Sequence, residues 1–190
     1  MNEKNKIPKK NQYFLNQKGF TLVELLVVIT IIGTIIAMSI PNFNIARDKA
    51  RSAALKSNMH QVQIVIELFH LERGVYADDF YEDGYGSYFP GGKWEVSLGK
   101  LPTNPWSGKE MDPDEFNTDE YDNLADIANT EESGPNDDFG YEPGEMRYGV
   151  YSPEGRAEPT NWGLIGFDKN GTSLRGFNPD EEVIIFVLHN

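Results

Sequence analysis

Cysteine is absent from the 190 residues, so any long loop must be held by packing, hydrogen bonds or a metal ion. The absence excludes neither an oxidising nor a reducing compartment. Cations are scarce as well: 17 Lys and Arg stand against 30 Asp and Glu. They are also unevenly placed. Lys4, Lys6, Lys9, Lys10 and Lys18 against Glu3 give +4 before Phe20, so the formal total of −13 leaves −17 on everything after Gly19. A domain that acidic repels phosphate backbones, which argues against direct contact with nucleic acid. Also missing are a nucleophile motif, a zinc-ligand spacing and a phosphate-binding glycine loop. His60 and His70 do not share the i, i+4 face that a helical metal pair requires. No internal repeat is apparent.

What the chain does have is one long apolar run. Phe20 to Ile40 reads FTLVELLVVITIIGTIIAMSI, and at ~1.5 Å per helical residue it spans roughly 31 Å, about a bilayer core. The basic stretch before it would hold the N-terminus on the cytoplasmic side of a membrane. A secretory signal would be shorter and followed by a small-residue cleavage site. On hydropathy alone a simple membrane anchor explains the run equally well. Glu24 is the only charge within it. A carboxylate in hydrocarbon is costly and marks a functional candidate, unless it merely sits at headgroup level.

Lys18-Gly19-Phe20-Thr21-Leu22-Val23-Glu24-Leu25 closely resembles the processing site of type IV prepilins and pseudopilins. The resemblance implies cleavage between Gly19 and Phe20 by a membrane aspartyl peptidase, then N-methylation of Phe20. It places Glu24 where that family carries its glutamate, which meets the Phe20 amine of a neighbouring subunit during assembly. Gly33 and Pro41 fall where pilin helices often carry a glycine and a proline, and a kink or local loosening is expected there. The likeness is close over residues 18–60 and only in outline beyond.

Between Asn42 and Arg73 there is neither proline nor glycine. Leu55, Met59, Val62, Ile66 and Phe69 recur at helical spacing, with Ala46, Ala50, Ala53 and Ala54 on a second, small-residue face. Gly74 is the expected terminator. The expected organisation is a leader at 1–19, a transmembrane or filament-core helix at 20–41, its amphipathic continuation at 42–73 and an exported globular domain at 74–190. The fold class is α+β, with the long helix packed on a small antiparallel sheet. Expected strands are Trp94–Leu98, Arg147–Tyr151, Trp162–Phe167 and Val183–Leu188, the last read as a central buried strand because VIIFVL is wholly apolar. Residues 110–145 form an acidic insert, in which Thr118 to Thr130 reads as a short helix capped by Thr118, with Asp119 and Glu120 near its positive end. The bland reading of that insert is an acidic surface loop, and the alternative a lineage-specific contact or cation site.

Three further stretches resemble elements of the major pseudopilins of type II secretion. They are Glu72-Arg73-Gly74-Val75-Tyr76, Leu101-Pro102-Thr103-Asn104-Pro105-Trp106 (with Asn104 in place of the usual acid) and Tyr148-Gly149-Val150-Tyr151-Ser152. That branch commonly binds calcium in its C-terminal loop, and by this resemblance Asp168, Asn170, Asp180 and Glu181 are candidate oxygen ligands. A hairpin turn explains Asp168–Gly171 equally well, and Asp180 serves equally as a turn cap after Pro179. The resemblance implies a non-enzymatic subunit extracted from the inner membrane by an assembly platform. It would stack with itself and with minor subunits into a periplasmic filament that drives export. A surface type IV pilin is the second reading, and a membrane-anchored enzymatic or carbohydrate-binding domain the third.

Overall fold

The computed structural model describes residues 19–93, 95–116, 118–128 and 142–190, with backbone alone at 41 and 42. These fall into two units, one ending at Phe43 and the other comprising Asn44–Asn190. Helix α1, Leu22–Arg73, contributes to both.

In the second unit the spacing read from the sequence is the spacing that packs. Leu55, Met59, Val62 and Ile66 are wholly buried and Phe69 nearly so, together forming the helix side of the main core. The helix ends at Gly74, whose φ of 77° is left-handed. Its N–H donates to the His70 carbonyl at 2.7 Å, the αL termination a side chain at that position would strain. Polar contacts then tie α1 to the rest of its unit. Trp162 Nε1 donates to Glu67 Oε1 at 3.1 Å, Asn58 Nδ2 to the Thr103 carbonyl at 2.8 Å, and Lys169 Nζ pairs with Asp48 at 2.8 Å.

Opposite the helix lies a four-stranded sheet of β1 (Thr118–Tyr121), β2 (Met146–Tyr151), β3 (Asn161–Gly166) and β6 (Leu188–His189), in that spatial order. A two-stranded sheet pairs β4 (Arg175–Phe177) with β5 (Val183–Ile185). The α+β class is as expected, but the main sheet is mixed: β2–β3 and β3–β6 are antiparallel while β1 runs parallel to β2. The expected helix over 118–130 is therefore replaced at its start by a strand, and Thr118 pairs with Tyr148 instead of capping. Tertiary pairing outweighs the local signal here. Asp119 supplies the counter-charge to the buried Arg147 on β2, and an unpaired buried guanidinium would be costly. The helix is displaced to α2 (Leu124–Ile127), capped by Asn123, whose Oδ1 accepts from Ala125 N at 3.1 Å. Residues 129–141 of the insert lie outside the described residues.

Two other strand expectations are corrected. VIIFVL is not one central strand but supplies β5 and β6, both short and in different sheets. Its apolar residues serve two clusters: Ile185 packs with Ile165 and Phe167, whereas Phe186 and Leu188 lean on the main core. An apolar run long enough for one strand is thus split by having two cores to fill. Around Trp94–Leu98 the chain turns tightly, with Val96 N and Ser97 N both donating to the Lys93 carbonyl at 2.9 Å and Glu95 at φ 51°. Trp94 itself lies outside the described residues.

Glycine shapes the sheet at one paired position. Gly149 and Gly163 face each other across β2–β3. A Cβ on Gly149 would lie 2.4 Å from the Tyr121 ring, and one on Gly163 would lie 2.3 Å from the Ile127 carbonyl. Their bareness lets β1 and α2 close over the sheet. Beneath, Tyr85 and Tyr148 share a 2.6 Å hydroxyl contact that the Ala77 backbone completes, its N–H donating to Tyr85 at 3.0 Å and its carbonyl accepting from Tyr148 at 3.1 Å. Burial pushes both phenols well above their ordinary range, so both remain neutral hydrogen-bonding groups in the core.

Candidate assembly site

Gly19, Phe20 and Thr21 are exposed and non-helical, and α1 starts directly after them at Leu22. The start is a capping box. Glu24 N donates to Thr21 Oγ1 at 3.2 Å, while Glu24 Oε2 accepts from Thr21 N at 2.9 Å and from Thr21 Oγ1 at 2.7 Å. The Thr-x-x-Glu spacing is the signal in the sequence that carries this device. One carboxylate thus closes a helix end whose N–H groups would otherwise lack partners and places negative charge at the positive end of the helix.

From Leu25 to Ile40 the helix carries no charged side chain, and its polar side chains are Thr30, Thr34 and Ser39. A stretch of α1 with mean hydropathy 2.5 is long and apolar enough to cross a membrane, and 0% of it is buried within the chain. Phe20, Leu22, Ile29, Ile32 and Ile36 are all more than half or about half exposed. The hydroxyls in this stretch bond back to carbonyls of their own helix, an arrangement compatible with an apolar surrounding. Thr30 donates to the Leu26 carbonyl at 2.8 Å, Thr34 to Ile31 at 2.8 Å and Ser39 to Ile35 at 2.9 Å. Glu24 is the single charged side chain left in an environment otherwise cleared of unmet polarity. Helix α1 continues through both Gly33 and Pro41; Gly33 has open space where a Cβ would stand, and at Pro41 the bond to the Ala37 carbonyl is missing because proline has no N–H.

The described fragment carries the features of one family signature. A family description, the prokaryotic N-terminal methylation motif, matches residues 15–40. The type IV major pilin protein PilA of Myxococcus xanthus is 34% identical over 68 residues, 36% of this chain and 31% of that pilin. Two type II secretion system core proteins G match over longer stretches. That of Klebsiella michiganensis is 27% identical over 105 residues, covering 49% of this chain and 70% of that protein; that of Pseudomonas aeruginosa is 26% identical over 98 residues, 47% and 68%. The chain is similar to type IV pilins over its N-terminal third and to secretion core proteins G over about half its length. It spans under a third of the length of the Myxococcus pilin. No solved structure matches it.

Two sequence motifs make local hydrogen-bonded contacts of their own. Asn104, buried, accepts at Oδ1 from Trp106 N at 2.9 Å and Ser107 N at 3.3 Å, and donates from Nδ2 to the Pro143 carbonyl at 3.0 Å. An aspartate could accept those two bonds but could not donate the third. The candidate calcium ligands serve two separate turns. Asp168 Oδ1 accepts from Asn170 N at 2.7 Å and Thr172 N at 3.2 Å. Asn178 organises the other turn, accepting from Asp180 N at 3.0 Å and Glu182 N at 2.8 Å, with Glu181 at φ 62°. Among the described residues no three His, Cys, Asp or Glu side chains gather as a metal site; Asp168 and Asn170 belong to one of these turns, Asp180 and Glu181 to the other. His60 bonds Gln63 at 3.2 Å, and His70 stacks on Tyr76 with ring centres 4.1 Å apart.

Proposed function

We propose that this chain is a structural, non-enzymatic subunit of a type IV pilus-like filament, most like the pseudopilin of a type II secretion system. The observation that carries the reading is a lone, helix-capping Glu24 at the head of a wholly uncovered apolar helix, inside the methylation motif. Such a helix has two environments that satisfy it in succession: lipid before assembly and neighbouring helices afterwards. Cleavage between Gly19 and Phe20 leaves a cationic amine on Phe20, N-methylated in the mature subunit. Pairing that amine with Glu24 of a neighbour removes two costly charges from hydrocarbon together, which rewards correct register. The prepilin peptidase, the inner-membrane platform and minor subunits are the partners this scheme requires, with the folded unit outside the cytoplasm.

The longer alignments, which cover 70% and 68% of two secretion core proteins G, favour the secretion branch over a surface pilus. Sheared filaments from expressing cells provide the test. Edman sequencing and mass spectrometry should find N-methylated Phe20 at the subunit terminus, in short fibres whose presence depends on a secretion operon. The same terminus in long surface fibres would move the chain to the pilus branch, and an uncleaved chain held in the membrane would reduce it to an anchored domain.

A further inference from the structure

Exported charge in this chain is segregated along the second half of α1. Arg47, Lys49, Arg51 and Lys56 against Asp48 give +3 within residues 44–60, whereas from Gln61 to Asn190 eight cations stand against 27 acids, a balance of −19. Lys56 is engaged locally, with its Nζ donating to the Arg175 carbonyl and lying 4.5 Å from the centre of the Phe186 ring. Asp48 is paired with Lys169 and lies within the field of Arg47 and Arg51, one acid among these cations. Arg47, Lys49 and Arg51 have no hydrogen bond or ion pair among the described residues, and Arg47 and Lys49 are exposed. They form a basic collar where α1 enters the folded unit.

The complementary feature stands at the other end of the same helix stretch. Just beyond Gly74, a loop carries Asp78, Asp79, Glu82 and Asp83, and Asp112 and Asp114 lie beside it because Tyr81 bonds Asp114 and Phe80 stacks on Phe116 at 4.0 Å. The charges acting on Asp79 are Asp83, Asp78 and Glu82, all of its own sign. Between Lys49 and Arg73 the helix rises roughly 36 Å, too far for the collar to neutralise this knot within one chain across a Debye length of about 8 Å.

We infer that the collar of one subunit docks on the acidic knot of a second copy displaced along the helix direction. This rests on the filament reading above and names the contact between its folded units. Because the two surfaces differ and sit at opposite ends of the helix stretch, the contact is heterologous, and repeating it yields an open filament instead of a closed dimer. It also relieves the self-repulsion of a strongly acidic unit at the points where copies approach most closely. Anionic lipid headgroups would satisfy the collar but leave the knot unmet, so the second copy accounts for both.

The test uses the full chain in cells that assemble it. The reversal K49E/R51E and the reversal D78K/D83K should each lower filament yield by about tenfold or more, and the chain carrying all four changes should recover it. Melting temperatures of each purified variant in detergent check folding. The native chain has no cysteine, so R51C/D83C treated with a bismaleimide should give a ladder extending beyond dimers, with each single variant giving none past a dimer. Wild-type filaments with unaffected reversals, or a four-fold variant without rescue, overturn the inference. So does a collar variant that loses only its binding to phosphatidylglycerol vesicles, which would assign the collar to lipid. Absence of filaments from the wild-type chain would instead sink the filament reading itself.

Discussion

From Leu22 to Ile40 α1 leaves its large apolar side chains uncovered, whereas from Leu55 to Phe69 the same helix buries one stripe almost completely. Both stretches are apolar enough to drive burial, yet only the second finds its covering within the chain. In that stretch polar residues such as Asn58, Gln61 and Gln63 interrupt the stripe, so one face meets the sheet and the other faces outward. In the first stretch no face is polar, and the covering has to come from lipid or from other helices. One stretch stabilises the fold, while the other finds no covering within the chain.

The largest expected effect separates the charge of Glu24 from its cap. Glu24→Ala removes both, and the lost pairing should weaken assembly by about 3–5 kcal/mol, read as a near-complete loss of sheared filaments with processing intact. Glu24→Gln keeps the hydrogen-bonding geometry of a capping box but not the charge, and should fail almost as badly. Wild-type yield from the glutamine variant would reduce Glu24 to a helix cap. Next, Ile66→Ala should cost the folded unit about 2–5 kcal/mol through the cavity it leaves, seen as a lowered melting temperature of the full chain in detergent. Ile32→Ala, in the uncovered stretch, should shift that melt by less than about 0.5 kcal/mol. Equal effects from the two would erase the contrast between the halves.

Asn104→Asp is smaller. It deletes the bond to Pro143 and buries a carboxylate, at about 1–3 kcal/mol by the same melt. The smallest effect concerns pH. Burial raises the carboxyls of Asp79 and Glu145, so their folded forms hold protons more tightly than the unfolded chain. The penalty they impose is present above their folded values and is relieved as pH falls through them. Asp48 moves the other way because Lys169 donates to it. Its contribution is intact above the ordinary carboxylate value of about 4 and is lost only below. A melt that rises slightly from pH 7 toward pH 5 and falls below pH 4 is the expected profile, and a monotonic fall from neutrality would contradict it.

Part of this was readable residue by residue. The stripe from Leu55 to Phe69 and the terminator Gly74 follow from local geometry, since the period of a helix and the freedom of glycine are the same in any fold. Glu24 stood out because no local rule favours a charge in an apolar helix, although its bond to Thr21 was equally visible as a spacing. At Asp168, Asn170, Asp180 and Glu181 the sequence is ambiguous, because oxygen-rich turns look alike whether they hold an ion or their own backbone N–H groups.

By itself, then, the sequence determined where the membrane-length helix lies, which face of its continuation is buried, where it stops and which residue is the lone charge in its apolar run. These depend on composition and spacing over a few turns. Only the tertiary structure decided that β1 would be a parallel strand, that VIIFVL would serve two sheets and that Asn104 would clasp Pro143. Each of those outcomes depends on a partner far along the chain: Arg147 needing Asp119, two cores competing for one apolar run, a carbonyl needing a donor. Pairings of that kind are energetically decisive and leave no period in the sequence.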